Sequence, residues 1–484
     1  MMKNFKWLLL VSLTFVACNN DDAVTTVSNS SDGLPLTAGT ADFSKFVALG
    51  DSFAAGFSDN ALFKTGQAGA YTNIMAQQFA LVGGGDFKIP YTKDDIGGFS
   101  MGGNQIPQFP TRLYFNGAAP VNVSGVTTTA ITDHLTGSYN NLGIPGAKSF
   151  HLTYSGYASA NPYFGRFASS TTATVLGDAL AQTPTFFSLW IGGNDVLGYA
   201  TNGGVPTSQD ATLGNDITPP TTFEAVYTGM VTQLTAGGRK GVVANLPYVN
   251  TLPYFTTVPY NPLPLDASTI ALLMNTTTGY GKYNGGIQYV LSLGLISPAE
   301  AAKRTIAFHP GNGNAVVIED SYLTPLTAYG IPSYRQATSD DLVVLPARNF
   351  IGTTIGGNPL YVNGVSVPLA DKWVLSKEEI DEVRTATDAY NVTIQNNATT
   401  NGLAFVDTKV IMNQLISGGI VANSFLVTSA YVTGGAFSLD GVHPSPRGYA
   451  LIANKFIEAI NKKYSSNLKG VSLADYRILY PASL

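Results

Sequence analysis

The sequence predicts an α/β protein built on a parallel sheet covered by helices on both faces. Three observations carry this. Short apolar runs, rich in β-branched and aromatic residues, end in Gly, Asn or Pro. Longer segments with helical spacing alternate with them, the pattern of a parallel sheet. Polar residues suited to chemistry stand just beyond the strand ends, where such sheets form their sites.

The chain opens with Lys3 and Lys6, then the apolar run Trp7 to Val16 and the small Ala17. This pattern is a targeting signal, too short to span a bilayer comfortably. Cys18 follows and is the single cysteine of the 484 residues, so no intrachain disulfide is possible. Phe15-Val16-Ala17-Cys18 resembles a bacterial lipobox, with Phe15 where Leu is usual. The resemblance implies that residues 1–17 are removed and that Cys18 carries a lipid. The expected product is an exported lipoprotein, anchored in the outer membrane by its N-terminal lipid. Asn19-Asn20-Asp21-Asp22 resembles the acidic export tags of Bacteroidota surface lipoproteins, which extends the expectation to the cell surface. Residues 18–41 are rich in Ser, Thr, Asn, Asp and Gly and read as a flexible tether.

Residues 42–484 are expected to form one elaborated domain. The runs Phe46–Leu49, Phe186–Ile191, Gly241–Leu246 and Leu403–Val406 are the expected strands, with a weaker fifth at Asn141–Ile144. Helical patterns cover Ala70–Val82, Thr222–Ala236, Ser376–Thr399 and Pro446–Tyr464. The last places Tyr449, Ile452, Ala453, Phe456 and Ile460 on one face. Two stretches look inserted, residues 83–139 and 251–375. The second is expected to hold helices over Ser268–Gly294 and Ser297–Ala307. It should also hold a hairpin over Leu360–Val367 turning at Asn363-Gly364. Such insertions either wall a site or merely extend the fold.

Composition excludes several functions. Charged residues are 12%, about half the usual share, and the formal charge is -5; loss of Lys3 and Lys6 with the signal leaves -7. No basic run argues for nucleic acid. The four histidines show no metal-ligand spacing, and no cofactor motif is present.

Four short motifs carry chemistry. Phe46-Val47-Ala48-Leu49-Gly50-Asp51-Ser52-Phe53 breaks a strand on a serine, with Gly50 allowing a tight turn and a following helix directing N–H groups at Ser52. Ala54 stands where the Gly-x-Ser-x-Gly elbow needs a second glycine, which argues against an α/β-hydrolase. Asp440-Gly441-Val442-His443-Pro444 puts a base and its orienting acid on one loop. Gly192-Gly193-Asn194-Asp195 presents a side-chain amide after a strand, and Asn141-Leu142-Gly143-Ile144-Pro145-Gly146 offers an unhindered backbone N–H. Each alone reads as a turn or a cap; together, in this order, they are far more specific.

The set resembles the GDSL-type, or SGNH, lipase/esterase superfamily: Gly50-Asp51-Ser52 with Phe53 for the usual Leu, Asn141 to Gly146, Gly193-Asn194-Asp195, and Asp440 to Pro444 followed by Gly448-Tyr449. About half of the chain carries the resemblance. It implies a three-layer, flavodoxin-like hydrolase fold that needs no cofactor or metal. Ser52 would be the nucleophile, His443 the base and Asp440 its orienting acid. The oxyanion would be met by the Ser52 N–H, the Gly146 N–H and the Asn194 amide. The expected partner is a lipid or fatty-acyl ester, or an acetylated glycan. Tyr248, Tyr254, Phe255 and Tyr260 suit either an acyl groove or sugar stacking. A second class stays open, an idle surface lipoprotein using the fold for binding or assembly.

Overall fold

A computed structural model describes residues 33–207 and 214–484. The signal segment, Cys18 and the start of the expected tether lie outside the described residues. Five strands form one all-parallel sheet: β1 (Phe46–Gly50), β2 (Asn141–Gly143), β3 (Phe186–Trp190), β4 (Lys240–Ala244) and β5 (Ala404–Val406), in the spatial order β2-β1-β3-β4-β5. All five expected strands are present and share this sheet. β1 and β3 are buried along their whole lengths, as a sheet covered on both faces requires.

The order is compatible with a flavodoxin-like layout, in which the chain first moves one way along the sheet and then reverses. Right-handed crossovers therefore put helices on opposite faces. Helix α1 (Ser52–Ala55) opens at the serine and α2 (Tyr71–Ala80) follows in the first crossover. α3 (Asn194–Thr201), α4 (Pro220–Thr235) and α5 (Lys377–Thr400) follow later, then α6 (Thr408–Ser417) and α7 (Pro446–Tyr464) after β5. α2 and α7 share one face. Phe186 and Trp190, four residues apart and so on one side of β3, meet Phe79 and Tyr464, and Tyr71 and Phe456, respectively. α4 and α5 pair through stacked Phe223 and Tyr390, whose rings are 4.2 Å apart. Ser376 and Glu379 close a capping box at the start of α5.

Residues 83–139 and 251–375 add no strand to the sheet and form two-stranded ribbons of their own. The second stretch holds a separate apolar cluster, including Ile287, Val290 and Ile331. Buried Arg335 clamps it by pairing with Asp320 and, through two nitrogens, with Asp341.

Three details differ from the sequence reading. The helix expected over Ser268–Gly294 is broken into Ala267–Leu273 and Tyr280–Ser292, because the Asn275 side chain accepts from Thr277 N and Thr278 N and turns the chain. The hairpin pairs Thr354–Ile355 with Asn358–Val362 and turns at Gly356-Gly357, not at Asn363-Gly364. Both glycines have positive φ, 59° and 73°, which such turns need at two consecutive positions. The end of the expected tether is docked: Thr40 N donates to Tyr464 O, Thr37 N donates to Asn467 Oδ1, and Ala41 is buried.

Candidate active site

Ser52, Gly146 and Asn194 follow three adjacent strands. Register aligns Gly50 with Gly143 on one side and with Trp190 on the other. The residues just beyond these points therefore gather at the carboxyl edge, beside β1 and β3, where strand order reverses. Gly50 is required there: a Cβ would stand 2.5 Å from Trp190 O and 2.8 Å from the Ala54 methyl. Asp51 caps α1 by accepting from Phe53 N at 2.9 Å, and Gly56 ends the helix in the left-handed region. The helix that starts at the serine is thus this single turn, not the longer segment expected at Ala70–Val82.

The Asp440–His443 loop reaches the same point. His443 Nε2 lies 2.8 Å from Ser52 Oγ, and Asp440 Oδ2 lies 2.9 Å from His443 Nδ1. With Nδ1–H donating to the carboxylate, Nε2 is the acceptor for the Ser52 hydroxyl; the network assigns this tautomer. Asp440 Oδ1 accepts from the Val442 and His443 backbone N–H groups. Burial alone would raise the Asp440 pKa, but the adjacent imidazole and these hydrogen bonds outweigh it and hold it at about 2. The acid therefore stays ionised under His443.

Candidate donors for a developing oxyanion lie on the turns that follow the strands on either side of β1. Gly146 has φ +80° and is exposed, and neither its N–H nor that of Ser52 has an acceptor among the described residues. Asn194 Nδ2 donates one hydrogen to Ala147 O at 3.0 Å, leaving its second N–H free.

Comparison of the chain with protein-family models, with curated proteins and with solved structures finds no match. The reading of the site therefore rests on its geometry and on its motifs.

Sequence reasoning missed the parts that hold the site together. Asp195 is fully buried; its Oδ2 accepts from Ser149 N at 2.8 Å and its Oδ1 from Ser149 Oγ at 2.7 Å. That clamp fixes the Gly146 turn against Asn194. Asn60 N donates to Asp440 Oδ2, the oxygen that also faces His443, and Asp59 N donates to Ser438 Oγ. Asp59 and Asn60 both have positive φ, 50° and 65°. The one available signal was Asp-Asn, a pair that tolerates this conformation. Burial raises the Asp51 and Asp59 pKa values to about 7 and that of Asp195 to about 6.

Other candidates lie elsewhere. His134 contacts Gly165 O, His309 contacts Pro310 O, and His151 stacks on Tyr157. Asn245 ties β4 to α6 by accepting from Thr408 N and donating to Asp407. The four aromatic residues expected to line a groove do not do so together. Phe255 is core, and Tyr248 is held by Asp388 and Lys409. Among the described residues no cluster of three His, Cys, Asp or Glu stands ready to hold a metal ion.

Two recesses flank the site. An open groove of about 400 Å³ runs from Gly146 and Phe57 along Gln108 and Phe109 of the first insertion. An apolar cavity of about 90 Å³ lies against Asp51, Phe53, Gly193, Val442 and Pro444, the chain neighbours of Ser52, Asn194 and His443.

Proposed function

We propose that this protein is a serine-dependent carboxylic-ester hydrolase of the SGNH type, exported as a lipid-anchored protein. The observation that carries the proposal is the unbroken chain Ser52 Oγ, His443 Nε2, His443 Nδ1, Asp440 Oδ2, with contacts of 2.8 and 2.9 Å. The partner is a small-molecule or glycan ester.

In the first half-reaction Ser52 Oγ attacks the ester carbonyl as His443 Nε2 takes its proton. The carbonyl oxygen becomes an oxyanion met by Ser52 N–H, Gly146 N–H and the free Asn194 amide hydrogen. Collapse breaks the C–O bond, and His443 returns the proton to the leaving alkoxide, releasing the alcohol. Water then attacks the acyl-enzyme by the same route and releases the acid. Asp440 keeps its charge throughout and stabilises the imidazolium.

The test is labelling by a fluorophosphonate, which phosphonylates an activated serine. Wild type is expected to label and Ser52→Ala not to. Equal labelling of the two, or none of wild type, removes the hydrolase reading and leaves a binding or assembly subunit.

A further inference from the structure

We infer that the apolar cavity beside Ser52 receives the acyl chain of the substrate, an unbranched alkyl chain longer than acetyl, with the Phe53 ring at its mouth. This rests on the hydrolase reading and decides between its two substrate classes in favour of fatty-acyl esters.

The cavity is walled by α6, α7 and the ends of β3 to β5, with Ile411, Met412 and Leu451 among its lining. Only three lining residues carry polar side-chain ends besides the Trp190 indole, and each of the four already has a partner within the protein. Asp51 accepts from Phe53 N, Thr408 Oγ1 donates to Asn245 O, Lys455 pairs with Glu458, and the Trp190 indole N–H donates to Asn245 O. A hydroxylated sugar would find few partners there and would leave most of its hydroxyls unsatisfied. An acetyl group needs room for one methyl, whereas about 90 Å³ is roughly three water volumes of about 30 Å³ each, room for a few further methylenes. Apolar cavities bind apolar ligands, and an unfilled one weakens packing.

Position also favours a chain attached to Ser52. Phe53 lines the cavity, is only half buried, and places its ring 5.0 Å from that of Trp190 and 5.4 Å from that of His443. It thus borders both the cavity and the His443 ring. The open groove on the Gly146 side remains for the alcohol portion.

Two measurements test this. The first is the ratio of kcat/KM for p-nitrophenyl octanoate over acetate, in wild type and in Ile411→Phe and Met412→Phe. Wild type should favour octanoate, and the ratio should fall ten-fold or more in both variants, since filling a pocket by about one methylene discriminates on this scale. A wild-type preference for acetate, or a ratio unchanged in both variants, overturns the proposal. The second needs no turnover. Ser52→Ala is titrated with octanoate while tryptophan fluorescence is followed, because Trp190 lines the cavity. A saturable change, weakened by adding Ile411→Phe, supports the acyl site even if no ester is hydrolysed and the hydrolase reading fails. Its absence overturns the acyl site even if Ser52 labels.

Discussion

Ser52 is 6% exposed, so its hydroxyl sits in a recess and not on the open surface. In the proposed reaction His443 carries the proton, whereas Asp440 orients and stabilises it. His443→Ala is therefore expected to lower kcat by roughly 10⁶-fold and Asp440→Ala by roughly 10⁴-fold. Steady-state kinetics on a p-nitrophenyl ester checks the order, and a larger loss in Asp440→Ala would contradict these roles. Asn194→Ala removes one oxyanion donor and should cost about 10²–10³-fold in kcat. An effect confined to KM would show that Asn194 serves substrate binding instead. Asp440 is held at about 2, so its own titration should leave no step in the activity profile above pH 4.

At the scale of elements, the site depends on how α7 begins and how two turns are joined. Ser445 Oγ accepts from Gly448 N at 3.0 Å and donates to Gly435 O at 2.6 Å, two residues after His443. Ser445→Ala removes this cap and leaves a buried carbonyl unpaired, at a cost of about 1–3 kcal/mol in urea unfolding. Gly448→Ala should cost more, because a Cβ there would meet Ala436 O at 2.0 Å. Loss of stability in Ser445→Ala exceeding that in Gly448→Ala would refute this account of the loop. The Asp195–Ser149 clamp joins the Gly146 turn to Asn194. Asp195→Ala is expected to slow fluorophosphonate labelling at least ten-fold with the folded state retained. An unchanged labelling rate in a folded Asp195→Ala protein would show that the clamp does not position the donors.

The whole molecule buries carboxyls on an unusual scale for a chain with 12% charge. Asp51 and Asp59 are raised to about 7 and Asp195 to about 6, chiefly by burial; Glu379 in the α5 cap follows them at about 7 for the same reason. The unfolded chain releases these protons near its ordinary values of 3.8 and 4.5. Between about pH 4 and 7 the folded state thus holds more protons, and stability falls as pH rises. Asp440 has the opposite sign: its contribution is complete above about 3.8 and is lost as pH falls toward about 2. Urea midpoints are expected to peak near pH 4–5 and decline toward pH 8. In Asp59→Asn the decline should shrink, since the amide can still accept from Leu439 N as Asp59 Oδ1 does. A midpoint that rises steadily from pH 4 to 8 would exclude the sign assigned here.

Much of this was legible in the sequence because it is local. Apolar runs ending in Gly, Asn or Pro marked all five sheet strands, and period and caps placed α7 and nearly all of α5. Ser52, Asp440 and His443 were marked by residue type and by position at the edges of such runs. The hairpin at Gly356-Gly357 was misplaced because two turn signals lay seven residues apart and only pairing could choose between them. The sequence by itself determined the strands, the helices and the residues suited to acyl transfer, since these follow from hydrophobic period, turn chemistry and side-chain chemistry. Tertiary structure alone decided which of them meet. Sheet order brings residues 52, 146 and 194 to one edge, and a loop nearly 400 residues after Ser52 brings His443 within 2.8 Å of it. The Asp195 clamp, the Asn60 contact and the apolar cavity exist only between segments far apart in the chain, where no local pattern records them.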